Sequence, residues 1–208
     1  MIAKVCTNIL CRRAEEEFDR FCEVKTVSAG QLWGGKLNDF YTNSKKYMEG
    51  FMGADPYWYY VPYEEDKNSA LEKLKKREFE AGRYNFNYFG KRNKLLRFPI
   101  DETDAPGKGH GTIEEALEDC GECGTSSILD IESVSDNIDI CVAYVVTAEE
   151  MREYLGTDKP TRNIIDEKIW GFWEYIANSF GCRGVGICMT VYENDQLKEL
   201  YFGGYSFD

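Results

Sequence analysis

The chain has 208 residues, of which 43% are hydrophobic and 30% are charged. This length is enough for one well-filled core, and no run rich in Pro, Ser or Gly divides it, so we expect a single domain over residues 1–208. The 25 basic and 37 acidic residues give a net charge of −12. Such a charge disfavours binding to anionic membranes and to nucleic acid. It fits a basic protein partner better and, in the extreme case, a protein that mimics nucleic acid.

The sequence also indicates a compartment. No stretch approaches the roughly 20 apolar residues that a membrane span requires, and the residues after Met1 do not resemble a secretory signal. We therefore expect a cytoplasmic protein. Its eight cysteines should then be mostly reduced, and several should pack as small hydrophobic side chains.

Hydrophobic spacing predicts three helices and one strand up to Gly82. Residues 2–23 keep their apolar side chains at helical spacing, although a strand at the start of this segment is an open alternative. A second helix is predicted over residues 37–50. Residues 57–61, with the sequence YWYYV, have the composition of a strand. The next helix should begin at Pro62 and end at Gly82.

The middle of the chain alternates between extended and helical patterns. Two strand-like runs, residues 84–89 and 95–100, predict a hairpin, and the polar segment 101–109 that follows is loop-like. Residues 126–131 are β-branched and apolar, which predicts a buried strand. Residues 138–146 predict a further strand.

Two helix starts have the pattern of a capping box, in which a Thr hydroxyl and a Glu carboxylate each accept a backbone N–H. The first is Thr112 with Glu115, and its helix should end at Gly121. The second is Thr147 with Glu150. The apolar face predicted for the first helix consists of Ile113, Ala116, Leu117 and Cys120.

The last third predicts a long helix and a hairpin. Thr161 can cap a strongly periodic helix that should end at Gly181. Alternating patterns over residues 185–191 and 197–205 predict a hairpin whose turn includes Asn194. With about six helices and about seven strands in mixed order, the sequence predicts an α+β fold. We expect a largely antiparallel mixed sheet, helices packed on one face and a C-terminal β-hairpin.

An aromatic strand beside an acidic run is a candidate contact surface. Strand alternation would place the odd-numbered residues of the segment 57–61 on one face, and Trp58 and Tyr60 on the other. One face can enter the core, and the other needs cover from a helix or from a partner. Tyr and Trp dominate protein interfaces, and adjacent carboxylates suit a basic partner. The predicted binding residues are Tyr57, Trp58, Tyr60, Tyr63, Glu64, Glu65 and Asp66.

A CxxC pair, Cys120 and Cys123, is the motif with the clearest chemical meaning, because such pairs bind zinc or cycle as dithiols. Its place at the end of a helix, among acidic residues, disfavours the thiolate and favours cysteines without a metal. Zinc would need further ligands, for which His110, Cys182 and Cys188 are candidates. The zinc alternative therefore rests on Cys120, Cys123, His110 and Cys182.

Enzymatic chemistry would centre on a histidine and on one short motif. His110, the only histidine, lies between two glycines ahead of a helix and could act as a general acid or base. The segment Gly82-Arg83-Tyr84-Asn85 resembles the G-R-x-N segment of RES-type and other ADP-ribosyltransferase-like folds. This resemblance covers four residues and implies that Arg83 and a later glutamate, here Glu115, engage NAD. The catalytic alternative therefore rests on Arg83, His110 and Glu115.

The leading hypothesis is a non-catalytic, acidic, cytoplasmic interaction protein without a cofactor, such as an inhibitor, an immunity protein or an antitoxin-like factor. It would meet a basic surface of a protein partner with carboxylates around an aromatic anchor. The alternatives are an NAD-using, ADP-ribosyltransferase-like enzyme and a small zinc-binding protein.

Overall fold

The computed structural model describes residues 56–85, 87–88, 91–92, 98–121, 124–169 and 184–206. All of them belong to one of the two compact units of the chain, Asp55–Asp208, and the other unit is Met1–Ala54. The helices predicted over residues 2–23 and 37–50 lie outside the described residues. Cys123, Cys182 and the predicted helical residues 170–180 also lie outside them.

The strands are β1 (Pro56–Pro62), β4 (Ser133–Ser135), β5 (Val142–Val145), β6 (Gly186–Glu193) and β7 (Gln196–Tyr205), with a separate ribbon of β2 (Asn87–Tyr88) and β3 (Lys91–Arg92). The first five form one mixed sheet in the order β1-β7-β6-β5-β4. Strand β7 pairs antiparallel with both β1 and β6, whereas β5 pairs parallel with both β6 and β4. The antiparallel pairings are the longer ones, which agrees with the predicted α+β class and largely antiparallel sheet.

Helices cover both faces of the sheet. They are α1 (Lys67–Ala81), α2 (Ile113–Cys120), α3 (Ala148–Glu150, continued by a π-helical turn, Met151–Leu155) and α4 (residues 162–169). Helix α1 packs on one face, and α3 and α4 pack on the other. The prediction that helices lie on one face is therefore wrong, because the strands carry apolar side chains on both faces and each face needs its own cover.

Each face has its own hydrophobic core. The face under α1 buries Tyr57, Tyr59, Val61, Ala70, Leu71, Leu74, Ile128, Ile131, Ala143, Cys188, Leu200 and Phe202. The opposite face buries Tyr144, Val146, Met151, Leu155, Ile165, Ile169, Ile187, Met189, Val191 and Tyr201. Neighbouring residues of one strand alternate between the two cores, as the period of two in a β-strand requires.

Local signals placed several element ends correctly. The hairpin of β6 and β7 turns at Asn194 and Asp195, whose φ angles of 53° and 62° are those of a two-residue turn of type I′. The capping box of Thr147 and Glu150 is present in full. Thr161 caps α4, since its hydroxyl accepts the N–H of Ile164 at 3.5 Å. The terminal hairpin and these helix starts are thus confirmed.

Other boundaries differ from the predictions. Helix α1 begins at Lys67 rather than at Pro62, because β1 continues to Pro62 and the Asp66 carboxylate caps the helix. The predicted capping box at α2 is half formed. Thr112 accepts the N–H of Glu115, but the Glu115 carboxylate accepts the N–H of Gly111, one residue earlier than expected.

The predicted strand over residues 126–131 is wrong. Residues Ile128–Asp130 form a 3-10 turn. The Ser127 hydroxyl accepts the N–H of Leu129, and the Asp130 carboxylate accepts the N–H of Thr125 at 2.7 Å. These side chains offer the backbone partners other than a neighbouring strand, so an apolar run that looks extended folds into a turn.

Three further strand predictions differ from the structure. The predicted strand over residues 138–146 is shortened to β5, since residues 140–141 form a turn. In the predicted strand 84–89, residues 84 and 85 are not part of a strand. Residues Asn87–Tyr88 form β2, which pairs with β3. Residues 98–100, the described part of the predicted strand 95–100, are not strand either.

Candidate functional site

A pocket of about 390 Å³ lies beside β1, at the edge of the sheet. Strand β1 contributes Trp58, Tyr59 and Tyr60, and β7 contributes Tyr201. Helix α4 contributes Arg162, Asp166 and Ile169, while Arg77 and the segment 99–102 form the remaining described wall. A volume of this size, with aromatic and charged walls, is in the range of cavities that hold a ligand or an anchor side chain.

Strand alternation divides the aromatic side chains of β1 between the two faces of the sheet. Tyr57 is fully buried and Tyr59 is 4% exposed, and both belong to the core under α1. Trp58 and Tyr60 are half-buried and point to the opposite face. The predicted separation of the two faces is correct, and Tyr57, one of the predicted binding residues, lies in the core with no exposed area.

Tyr60 is held in one orientation by two residues of α4. Its hydroxyl donates to Asp166 Oδ1 at 2.6 Å, and the guanidinium carbon of Arg162 lies 4.3 Å from the centre of its ring. Burial, together with the hydrogen bond to the Asp166 carboxylate, holds the pKa of Tyr60 far above its ordinary value. The hydroxyl therefore remains a donor to Asp166 at physiological pH.

Arg162 combines an aromatic contact with a two-pronged carboxylate contact. Its Nε and one terminal nitrogen donate to the two carboxylate oxygens of Glu199, each at 2.7 Å. The hydrogen bonds to Glu199 raise the pKa of Arg162. The ring of Tyr60 in turn packs edge-on against Tyr201, with 5.3 Å between ring centres. The wall of the pocket thus holds a planar guanidinium between a ring and a carboxylate.

The charged side chains that line the described part of the pocket are two arginines and two carboxylates: Arg77, Arg162, Glu102 and Asp166. Arg162 pairs with Glu199, and Arg77 shares the buried carboxylate of Glu78 with Arg83. Asp166 lies close enough to Arg162, and Glu102 to Arg83, to favour the charged form of each arginine. The described lining is therefore strongly charged, with cations and carboxylates in equal number.

The predicted acidic run has mostly a structural role. Glu64 forms an ion pair with Lys73 at 2.6 Å, and Asp66 accepts the N–H groups at the start of α1. Tyr63 is half-buried against the core under α1, and Glu65 is exposed. None of these four residues is among the described residues that line the pocket. Of the seven predicted binding residues, Trp58 and Tyr60 line it.

Sequence reasoning missed the residues that α4 and the segment 99–102 supply. Arg162 and Asp166 are four apart, so they lie on one face of α4, and that spacing was a readable signal. Nothing in the sequence connected them with a strand about a hundred residues earlier. Glu102 belongs to the polar segment 101–109, whose composition predicted a loop and indicated no binding role.

The proposed NAD-binding arginine is used inside the fold. Arg83 is 6% exposed, and two of its nitrogens donate to the carboxylate of Glu78, at 2.6 and 2.9 Å. These hydrogen bonds raise the pKa of Arg83. Neither Arg83 nor Glu115 is among the described residues lining the pocket. The geometry accounts for Arg83 as the counter-charge of a buried glutamate.

His110 connects its loop to α2. Its Nδ1 lies 3.0 Å from the hydroxyl of Tyr84, and its Nε2 lies 3.4 Å from a carboxylate oxygen of Asp119. The Tyr84 hydroxyl also accepts the N–H of Gly109. Burial is the main cause that raises the pKa of Tyr84. Since Tyr84 is fully buried, this chain of contacts anchors the loop.

The zinc alternative rests partly on residues outside the described chain. Cys120 donates its thiol to the carbonyl oxygen of Asn85 at 3.0 Å. Among the residues that the structure describes, no group of three or more His, Cys, Asp or Glu side chains is arranged to hold a metal ion.

None of the described helices has the length and apolar character needed to cross a membrane. Comparison of the chain with models of protein families, with curated proteins and with solved structures gives no match.

Proposed function

We propose that this protein is a non-catalytic, cytoplasmic interaction module that binds a basic protein partner, as an inhibitor, immunity protein or antitoxin-like factor does. The pocket beside β1 is its anchor site. Trp58 and Tyr60 form the aromatic wall, and Asp166 and Glu102 supply the negative charge. The observation that carries the proposal is an aromatic wall, Trp58 and Tyr60, beside the exposed carboxylate of Asp166, whose position is fixed by the Tyr60 hydroxyl at 2.6 Å.

The physical chemistry of such a site favours a cation. A charged side chain over the face of Trp or Tyr gains roughly 0.5–2 kcal/mol, depending on how well water is excluded. The net charge of −12 would attract a basic partner over a longer range and raise its association rate. Aromatic anchors with charged surroundings are typical of residues that dominate binding energy at interfaces.

A defined peptide tests this function. We expect a peptide of mixed arginine and lysine to bind the full-length chain in isothermal titration calorimetry, and an acidic peptide of the same length not to bind. Affinity should fall between about 50 mM and about 300 mM NaCl, because screening shortens the reach of charges. Asp166→Asn should weaken binding by about fivefold, the upper end for an exposed ion pair. Trp58→Ala should weaken it by about tenfold.

Glu114→Gln is the matched control, because Glu114 is an exposed carboxylate on α2 and is not among the lining residues. It changes the net charge by the same amount as Asp166→Asn. If Glu114→Gln weakens binding as much as Asp166→Asn does, the attraction is a property of the whole acidic surface and not of the pocket. Absence of binding by the basic peptide would contradict the proposed function itself.

A further inference from the structure

We propose that the pocket beside β1 takes the last residue of its partner, a C-terminal lysine or arginine, and binds both the side-chain cation and the terminal carboxylate. This inference rests on the proposed function and names the chemistry of the anchor. Its basis is that, among the described residues, one lining arginine, Arg77, keeps donors without a partner, and one lining carboxylate, that of Asp166, keeps an oxygen without a partner.

Arg77 presents donors that its described neighbours do not use. Its Nε donates to Glu78 Oε1 at 2.7 Å, and its two terminal nitrogens make no hydrogen bond within the described part of the chain. Glu78 does not depend on Arg77 alone, since Arg83 donates to both of its oxygens, at 2.6 and 2.9 Å. The Arg77 side chain is 40% exposed. Its terminal nitrogens can therefore bind a carboxylate, which accepts two parallel hydrogen bonds from a guanidinium.

Glu102 also lines the pocket, but its contacts are with Arg83. The charge of Glu102 adds to the hydrogen bonds from Glu78 in raising the pKa of Arg83, and Arg83 donates to the carbonyl oxygen of Glu102 at 3.4 Å. No ion pair joins Glu102 to Arg77 among the described contacts. The charges of these three residues and Glu78 sum to zero. A carboxylate is therefore held here by directed donors at short range, and not by an excess of positive charge.

Asp166 supplies the acceptor for the cation. Its Oδ1 accepts the Tyr60 hydroxyl at 2.6 Å, while its Oδ2 has no hydrogen-bond partner among the residues that the structure describes. The side chain is exposed. The adjacent Arg162 is already paired with both oxygens of Glu199, each at 2.7 Å. An ammonium or guanidinium group can therefore reach Asp166 Oδ2 without displacing a contact of the fold.

The donor and the acceptor reach the pocket from opposite sides of the sheet. Helix α1, which carries Arg77, packs on one face, α4, which carries Asp166, packs on the other, and β1 is the edge strand of the described sheet. A ligand that meets both groups needs an anion and a cation joined by a chain. A C-terminal lysine or arginine has both, and Pro99 and Ile100 line the pocket where they can cover its apolar stem.

The chemistry of the peptide end tests the inference with the native full-length chain. One peptide of mixed arginine and lysine, ending in lysine, is made with a free carboxylate, with a C-terminal amide, and with a glycine pair that carries the free carboxylate past the lysine. The amide has one more positive charge, so attraction by the acidic surface alone would make it the tightest binder. By calorimetry at about 150 mM NaCl, we expect the free lysine carboxylate to bind about tenfold more tightly than either of the others.

Two variants of α1 assign the carboxylate to its site. Arg77→Gln should abolish the difference between the free acid and the amide, because it removes the charged fork of donors. Lys76→Gln is the matched control. It also removes one positive charge from α1, but Lys76 is exposed and is not among the described lining residues, so the difference should persist. Asp166→Asn should weaken both peptides alike, because both carry the same cation.

The outcomes separate this inference from the function on which it rests. Equal affinity for the free acid and the amide, or a preference for the amide, would overturn the terminal anchor and leave a basic-binding module in place. Failure of all three peptides to bind would overturn both proposals. A preference for the free acid that survives in Arg77→Gln would overturn the assignment to this pocket. If Arg77→Gln does not fold, Arg77→Lys keeps the charge beside Glu78 without the fork and should reduce the preference.

Discussion

At the scale of single residues, the buried carboxylate of Glu78 organises the end of α1. Glu78 has no exposed area, yet it accepts hydrogen bonds from both Arg77 and Arg83. The backbone reinforces the pair, because the N–H of Arg83 donates to the carbonyl oxygen of Glu78 at 2.9 Å. A buried charge without its partner is costly, so Arg83 is a structural requirement of this fold.

We expect Arg83→Met to lower the free energy of unfolding by about 3 kcal/mol, because it removes the buried partner of a buried carboxylate and leaves Glu78 with the partly exposed Arg77 alone. Urea unfolding monitored by circular dichroism would measure the change. Arg152→Met is the matched control, since Arg152 pairs with Asp158 at the surface and should lose no more than about 1 kcal/mol. Equal losses for the two variants would show that groups other than Arg83 stabilise the buried carboxylate of Glu78.

At the scale of elements, the stop of α1 is tied to a distant loop. Gly82 ends the helix with φ of 75°, a left-handed conformation that glycine adopts without strain. The next residues turn back, and the N–H of Gly107 donates to the carbonyl oxygen of Ala81 at 2.9 Å. A Cβ at Gly82 would overlap the carbonyl oxygen of Gly107. The end of α1 at Gly82 and the loop at Gly107 therefore lie so close together that a side chain at Gly82 would not fit.

Gly82→Ala should therefore be more destabilising than alanine at a helix stop of the same conformation. Gly156 supplies the comparison, with φ of 80° and only the flexible end of Lys168 near its Cβ position. We expect about 1–2 kcal/mol for Gly156→Ala, from backbone strain alone. For Gly82→Ala we expect about 2 kcal/mol more, because two backbone segments must move apart. Thermal and urea unfolding of both variants would detect a difference, and equal losses would contradict the close approach.

The open edge of the sheet at β4 is protected by a neighbouring element. The side-chain amide of Asn68, in the first turn of α1, accepts the N–H of Val134 at 2.8 Å and donates to its carbonyl oxygen at 3.3 Å. An amide side chain thus takes the place of a further strand. Edge strands with unpaired backbone groups invite pairing between molecules, so this contact favours a sheet that stays closed to additional strands.

At the scale of the whole molecule, charge is the dominant property. A net charge of −12 on 208 residues means that the folded chain repels itself. The ion pairs at its surface, such as Lys73 with Glu64 and Lys159 with Asp195, are exposed and contribute little each. Screening should therefore relieve more repulsion than it removes attraction.

We accordingly expect stability to rise with salt. Between about 10 mM and about 150 mM NaCl, the free energy of unfolding should increase by about 1 kcal/mol, or about 2–4 °C in Tm for a chain of this length. Differential scanning calorimetry would measure it, with KCl in place of NaCl as a control for ion-specific effects. A Tm that falls with added salt would mean that surface ion pairs outweigh the net charge.

Local structure was predictable wherever neighbours in sequence decide it. The turn at Asn194 and Asp195 follows from residues that tolerate positive φ, and the alternation beside it sets which side chains face each core. The capping box of Thr147 and Glu150 was predictable because it depends on four consecutive residues. The strand predicted over residues 126–131 failed because its apolar pattern said nothing of the hydrogen bonds that Ser127 and Asp130 make to the backbone.

By itself, the sequence determined the α+β class, the terminal hairpin, the two faces of β1 and the acidic character, because these depend on composition and on spacing along the chain. Only the tertiary structure decided that helices cover both faces, that Tyr57 is in the core, and that Tyr60 meets Asp166, 106 residues away. Contacts over such separations depend on how the sheet and helices pack. The pocket beside β1 is therefore a property of the fold, while its aromatic wall was readable in the strand.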